Sequence, residues 1–132
     1  MCAVDTNVLV RLIVRDDAKQ LEAVQRLQLH CACHGQKLFV STTVLLELEW
    51  VLRSRYRFGK PKVLAALKHM MTSGKVEFER SAAVANALRE YERTHADLAD
   101  CIHSEMAAAN DRSPLHTFDQ DASTLTGTTL LR

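Results

Sequence analysis

Long apolar runs are missing from this sequence. Hydrophobic residues make up 47% of the 132 residues, yet no stretch approaches the roughly 20 apolar residues of a membrane-spanning helix. The N-terminus also lacks the basic segment and long apolar segment of a secretory signal. These absences predict a cytoplasmic protein without a membrane anchor. The length and hydrophobic fraction predict one globular domain over residues 1–132.

Cysteine is present, but not in the arrangement of a zinc site. The four cysteines are Cys2, Cys31, Cys33 and Cys101. In "HCACH", residues 30–34, the two cysteines are two positions apart and would point in nearly opposite directions on a helix. No second Cys/His pair lies at zinc-finger spacing. We therefore interpret this segment as a helix end capped by Gly35, and we expect free thiols throughout.

The sequence has no strong charge bias and no nucleotide-triphosphate motif. Its net charge is +1 and its pI is about 7.7, so binding to a polyanion would require segregated basic residues. The GxxxxGK[ST] loop of nucleotide-triphosphate hydrolases is absent. An aspartyl phosphatase would usually carry a second aspartate two positions after its nucleophilic aspartate. Two positions after Asp5 this chain has Asn7 instead, which argues against that class of enzyme.

Apolar and polar residues alternate in a pattern typical of α/β proteins. Strands are predicted at 2–5, 37–41, 75–79, 114–119 and 128–131. Helices are predicted at 6–13, 17–34, 42–56, 60–74 and 96–111, and a further helix runs through Arg93 with Ser81 as its N-cap. This order predicts a three-layer α/β/α domain with a mostly parallel central sheet, whose ligands bind beyond the carboxyl ends of the strands.

Two aspartates follow predicted strands. Asp5 ends the first strand and Asp119 ends "PLHTF", so parallel strands would bring both carboxylates to one edge of the sheet. Nearby polar side chains could orient these carboxylates or a metal-bound water; they are Thr6, Asn7 and Thr117.

Helices contribute three further candidate carboxylates. Asp97 and Asp100 are three residues apart and share a face beside the apolar stripe of their helix. Glu47 and Glu49 cannot both face one site. Glu49 precedes Arg53 by four residues, which favours an exposed ion pair, so we assign Glu47, on a face predicted to be partly buried, to the site.

The proposed cluster needs a cation to relieve its own repulsion. It comprises Asp5, Glu47, Asp97, Asp100 and Asp119, of which Asp5, Asp100 and Asp119 are the expected metal ligands. Carboxylate oxygens suit Mg²⁺ or Mn²⁺, and such ions serve the hydrolysis of phosphodiester bonds. His103 lies three residues after Asp100, but a histidine beside an apolar stripe is more often a hydrogen-bonded core residue. We therefore do not include His103 among the candidate site residues.

Basic residues are segregated as a nucleic-acid substrate would require. The segment "RSRYRFGKPK", residues 53–62, interleaves cations with Tyr56 and Phe58, an arrangement that could follow a sugar-phosphate backbone and stack a base. The candidate RNA contacts are Arg11, Arg15, Arg53, Arg55, Arg57 and Lys60. The competing interpretation is a solvated charge run at a helix end.

Taken together, these segments resemble the PIN-domain ribonucleases, specifically the VapC-like toxins of type II toxin–antitoxin pairs. The resemblance covers nearly the whole chain and rests on "AVDTNVLVRLIVRDD", "VSTTVLLELEWVLRSRY", "DLADCIH", "TFDQDA" and "LTGTTLL". It implies a Mg²⁺- or Mn²⁺-dependent endoribonuclease, commonly cutting tRNA or ribosomal RNA. It also implies a homodimer and a small antitoxin partner.

Two other functions remain open at this point. A non-catalytic RNA-binding PIN-like domain would keep the fold and lose the chemistry, although clustered negative charge would not help such a protein to bind RNA. A signalling receiver domain also gathers aspartates at strand ends, but it would typically end a late strand on lysine. Here the last predicted strand is followed by Arg132.

Overall fold

The computed structural model describes residues 2–132 and resolves them into two compact units. The first unit ends at Glu79, and the second comprises Arg80–Arg132. Helices and strands alternate along both units, and every strand pairing is parallel among the residues described, so the predicted α/β class is confirmed. No helix in this part of the chain is long and apolar enough to cross a membrane. That residues 1–132 form one domain stays a prediction.

The first unit contains four helices and a pair of parallel strands. Its elements are α1 (Thr6–Val14), α2 (Ala18–Cys33), β1 (Leu38–Val40), α3 (Thr42–Ser54), α4 (Lys60–Thr72) and β2 (Val76–Phe78). Leu38 of β1 lies opposite Val76 of β2, and Val40 lies opposite Phe78. Because all four of these side chains are buried, the strand pair presents one apolar face to the core.

The predicted first strand is reduced to a single parallel bridge. Ala3 pairs with Phe39, and the Val4 N–H donates to the Phe39 carbonyl at 3.1 Å. This bridge places the residue that follows it, Asp5, at the carboxyl end of a segment parallel to β1. The predicted helix bounds agree with the structure to within one or two residues over the whole unit.

The end of α2 is as predicted, but the cysteine chemistry is not. Gly35 follows the helix in the left-handed region (φ 66°), where glycine is least strained, and its N–H donates to the Ala32 carbonyl. Cys2 and Cys31 form a disulfide. The expectation of free thiols is therefore wrong for this pair, because residues 29 apart in sequence meet where the N-terminal bridge passes the end of α2.

The second unit packs two helices beside a second pair of parallel strands. Its elements are α5 (Ser81–Arg93), α6 (Leu98–Ala109), β3 (Leu115–Thr117), a 3₁₀ turn (Ala122–Thr124) and β4 (Thr128–Leu130). The helices bury mainly apolar side chains, which are Val84, Ala87, Leu88 and Tyr91 of α5 and Leu98, Cys101 and Ile102 of α6. β3 and β4 pair in register from Leu115 opposite Thr128.

Ser81 is not the N-cap of α5. The cap position belongs to Arg80, whose backbone is left-handed (φ 50°) and whose carbonyl accepts the Val84 N–H at 3.1 Å. Ser81 is already the first helical residue, one position too late for its hydroxyl to cap the turn. The helix still ends at Arg93, as predicted.

Candidate functional site

Asp5 is the N-cap of α1. Its backbone is extended (φ −94°, ψ −179°), and its carboxylate Oδ1 accepts the Val8 N–H at 3.2 Å. A negative charge at a helix N-terminus is favoured by the backbone dipole, which offsets the cost of placing a carboxylate where a core strand gives way to a helix. Asp5 and Asn7 are both exposed, so the carboxylate is held in place while facing solvent.

Glu47 is joined to the residue after Asp5. The buried Thr6 hydroxyl, with 4% of its surface exposed, donates a hydrogen bond to Glu47 Oε1 and so connects α1 with α3. The first unit therefore brings Glu47 to Thr6, the residue that follows Asp5 at the start of α1. Thr6 orients a carboxylate, as predicted for a polar neighbour, but the carboxylate is that of Glu47.

The predicted burial of the two glutamates is inverted. Glu47 is exposed, whereas Glu49 retains only 6% of its surface and bonds Arg53 Nε at 2.8 Å. The predicted ion pair is present, but the expectation that Glu49 is a solvated surface residue is wrong. Leu45, Leu48 and Leu52 form the buried stripe of α3, and Glu49 lies beside it, so Arg53 compensates a carboxylate that packing has drawn inward.

In the second unit, Asp97 and Asp100 begin α6. Asp97 is the N-cap and is exposed, although its side chain caps no N–H; Asp100 is half-buried in the first turn. The pKa of the Asp100 carboxyl is raised by burial first, and then by repulsion from the carboxylates of Asp119 and Asp97. Three of the predicted site residues are thus electrostatically coupled within this unit.

His103 belongs to the same electrostatic group. The interpretation of His103 as a core residue is wrong, because its side chain is exposed and its charge partly offsets the raised pKa of Asp100. The i, i+3 spacing to Asp100 was the available signal, since residues three apart on a helix share a face. The apolar stripe beside it concealed this relationship.

Asp119 is fixed by the backbone after β3. Its Oδ1 accepts N–H groups from Asp121 at 2.8 Å and Ala122 at 3.1 Å, at the start of the 3₁₀ turn. Thr117 supports this geometry through the main chain, since its hydroxyl accepts the Asp119 N–H at 3.0 Å. The carboxylate is exposed and oriented, which is the state that a metal ligand or a polar catalytic group requires.

These carboxylates supply the oxygen donors that a divalent cation binds, but they are not arranged as a complete metal site. Across residues 2–132, no group of three or more His, Cys, Asp or Glu side chains is close enough together to hold a metal ion. Burial, and then repulsion from the carboxylates of Asp119 and Asp97, nonetheless raise the pKa of Asp100. A divalent cation would relieve the same repulsion, and carboxylate oxygens are the ligands that Mg²⁺ and Mn²⁺ prefer.

The predicted RNA contacts divide into engaged and exposed cations. Arg11 pairs with Asp16, and Arg53 pairs with Glu49. Arg15 ends α1 in the left-handed region and donates from Nε to the Leu12 carbonyl at 3.2 Å. The remaining candidates are Arg55, Arg57 and Lys60, of which the two arginines are exposed.

A cavity of about 540 Å³ lies away from the carboxylates of the first unit. Its lining includes Leu12, Ile13 and Arg15 from the end of α1 opposite Asp5, together with residues of α2, α4 and β2. Arg15 is the one predicted contact residue in the lining. None of the five proposed site carboxylates lines this cavity, so the cavity is not part of the proposed site.

Comparison with known proteins places this chain in a family. The family model described as "PIN domain" matches residues 2–127. A protein named "VapC ribonuclease" from Aquifex aeolicus (strain VF5) is 22% identical over 107 residues, which cover 81% of this chain and 78% of that relative. Because the family model matches nearly the whole chain, this protein belongs to the PIN domain family.

Proposed function

We propose that this chain is a metal-dependent endoribonuclease, acting as the toxin of a type II toxin–antitoxin pair. The observation that carries the proposal is the half-buried Asp100 carboxyl, whose pKa is raised first by burial and then by repulsion from the carboxylates of Asp119 and Asp97, a repulsion that a divalent cation would relieve. Membership of the PIN domain family and the likeness to a protein named VapC ribonuclease support the same function.

Five carboxylates are proposed to serve the reaction. Asp5, Asp100 and Asp119 are proposed to hold Mg²⁺ or Mn²⁺, and Glu47 and Asp97 are proposed as further catalytic carboxylates. When bound, the ion would activate a water and stabilise negative charge on the scissile phosphate. The donor types fit this ion, because all five groups are oxygen donors.

The chain's own contribution is to orient these groups in advance. The Val8 N–H holds Asp5, the Thr6 hydroxyl holds Glu47, and backbone N–H groups hold Asp119. Each bond occupies one carboxylate oxygen. Burial and the neighbouring carboxylates raise the pKa of Asp100, so without a bound cation this group keeps its proton to a higher pH than an ordinary aspartate does.

The proposed substrate is RNA, with tRNA or ribosomal RNA as the candidates that the VapC-like resemblance suggests. Exposed cations after α3, including Arg55 and Arg57, would contact phosphates. The same resemblance supports a small antitoxin partner, a homodimer and a cytoplasmic location. These remain proposals.

The decisive experiment incubates purified protein, free of antitoxin, with total cellular RNA. Wild type is tested with Mn²⁺ or Mg²⁺ and with chelator, beside Asp5→Asn with metal. Asparagine caps a helix about as well as aspartate, so this variant removes the charge and keeps the fold. Asp17→Asn is the matched control, because Asp17 caps α2 in the same way, accepting the Gln20 N–H at 3.0 Å.

We expect discrete fragments from wild type and from Asp17→Asn with metal, and intact RNA with chelator or with Asp5→Asn. Intact RNA in every sample, from protein that is folded and binds RNA, would overturn the proposal in favour of the non-catalytic RNA-binding PIN-like domain. Cleavage that persists in chelator would overturn the metal dependence.

A further inference from the structure

Trp50 is the chain's single tryptophan, and it is 53% exposed on α3. Tryptophan is one of the most buried side chains on average, because its large indole gains much from leaving water. The buried side of α3 is formed by other residues, so this indole adds little to the core of the first unit. Its exposure suggests that a ligand covers it.

The indole lies one helical turn from a proposed catalytic carboxylate. Glu47 and Trp50 are three residues apart, both exposed, and therefore neighbours on one face of α3. Glu47 is itself anchored by the Thr6 hydroxyl. A ligand in contact with Trp50 would therefore be within one helical turn of this carboxylate.

The charges that follow Trp50 favour a polyanion. Glu49, the nearest carboxylate on the C-terminal side of Glu47, is buried and paired with Arg53. Beyond it, Arg55 and Arg57 are exposed at the end of α3. A phosphate backbone bound by these cations would pass the C-terminal end of α3, between one and two helical turns beyond Trp50, which leaves a neighbouring base within reach of the indole.

The other aromatic rings of this segment are already engaged. Lys62 Nζ lies 4.1 Å from the centre of the Phe58 ring, and the Tyr56 side chain hydrogen-bonds Arg11. Both rings are partly buried. The sequence pattern favoured Tyr56 and Phe58 for base stacking, whereas the structure leaves Trp50 more open to a base.

We propose that Trp50 is a stacking platform for one base of a single-stranded RNA bound near Glu47, and thereby a residue that positions the substrate. This inference rests on the proposed function, because it takes RNA as the substrate. Stacking on an aromatic face is available to every base, and purines stack most strongly. We therefore expect Trp50 to favour a purine at the position that it contacts.

Because the chain has one tryptophan, its fluorescence reports directly on this contact. Wild-type protein in chelator, where the RNA stays intact, is titrated with a short oligoadenylate and separately with inorganic polyphosphate of equal charge. We expect oligoadenylate to quench the tryptophan emission and polyphosphate to leave it nearly unchanged. Equal quenching by both polyanions, or by neither, would overturn the stacking contact.

Substitutions then separate stacking from general surface effects. Trp50→Ala should weaken binding of labelled oligoadenylate by about 5- to 160-fold, the usual range for loss of one base–aromatic stack, while Trp50→Phe should recover most of it. Leu29→Ala is the matched control, since Leu29 is a 68% exposed apolar residue on α2, and it should bind as wild type does. Unchanged binding by Trp50→Ala would overturn the proposal.

Two further outcomes are distinguishable from these. If Trp50→Ala lowers the mass measured by light scattering and leaves RNA binding unchanged, the indole is covered by a second copy of this chain and the stacking proposal is wrong. Metal-dependent cleavage by wild type without quenching would overturn stacking and leave the nuclease proposal standing. Quenching without cleavage in any metal would overturn the nuclease proposal and leave the stacking contact standing.

Discussion

The Thr6 hydroxyl donates a hydrogen bond to the Glu47 carboxylate, and through this contact the first turn of α1 is tied to the middle of α3. The donor is buried and the acceptor is exposed. The Glu47 carboxylate, a proposed catalytic group, is therefore held in position by the buried Thr6 side chain, which the substrate does not need to contact. The contact links the packing of the first unit to the position of its candidate chemistry.

Replacing Thr6 tests this link. Thr6→Val keeps the shape of the buried side chain and removes the donor, so we expect the free energy of unfolding to fall by about 1 kcal/mol. RNA cleavage should fall by about 10-fold, because Glu47 loses its orientation. Urea unfolding and a cleavage assay measure the two effects. Thr6→Ser, which keeps the hydroxyl, should preserve most of the activity, and a Thr6→Val protein that cleaves like wild type would refute the link.

Glu47 and Glu49 offer a paired experiment on one helix. Glu47→Gln removes an exposed charge, so we expect stability near that of wild type and cleavage lower by about 10- to 100-fold. Glu49→Gln weakens a buried contact to Arg53, so we expect a loss of about 1–2 kcal/mol in the free energy of unfolding with cleavage retained. Urea unfolding measures the two stabilities, and the cleavage assay measures the two activities. Loss of activity in Glu49→Gln at temperatures where it is fully folded would contradict this assignment.

Local features were the ones that could be predicted from the sequence. Asp5 precedes α1 and Gly35 follows α2 because caps depend on a few neighbouring residues. Which glutamate of α3 is buried depends on contacts made by the whole helix, so spacing separated Glu47 from Glu49 but assigned their burial the wrong way round. The pairing of Cys2 with a residue 29 positions away is likewise a product of tertiary structure.

Asp100 should make stability depend on pH. Its pKa is raised above the ordinary 3.8 by burial and by the Asp119 and Asp97 carboxylates, so the folded state binds its proton more tightly than the unfolded state does. The contribution of Asp100 to the free energy of unfolding therefore falls as pH rises from 3.8 through the raised pKa. Asp100→Asn removes the effect. In chelator, we expect the variant to gain stability relative to wild type across this window, measured by urea unfolding at a series of pH values. A difference that is constant with pH would contradict the raised pKa.

Binding of a divalent cation should offset the repulsion among the ionised carboxylates and so raise the stability of the folded protein. At neutral pH, Mn²⁺ at 100 times its dissociation constant would add about 2.7 kcal/mol to the stability of wild type, because it binds the folded state alone. Asp100→Asn and Asp119→Asn should show a much smaller rise in melting temperature over the same titration. Asp17→Asn is again the control and should respond as wild type does. Equal rises in all four proteins would place Mn²⁺ elsewhere on the chain.

The Cys2–Cys31 disulfide should contribute measurably to stability. It closes a loop of 29 residues, for which chain entropy in the unfolded state predicts about 3.6 kcal/mol. Adding a thiol reductant should lower the urea midpoint of wild type and of Cys33→Ser, whose Cys33 is a free, exposed thiol. The double variant Cys2→Ser/Cys31→Ser should already have the lower midpoint and should not respond to reductant. Thiol titration of the unreduced, denatured wild type should then count two thiols, those of Cys33 and Cys101. A count of four, with no effect of reductant, would show that the two sulfurs are unlinked in the purified protein.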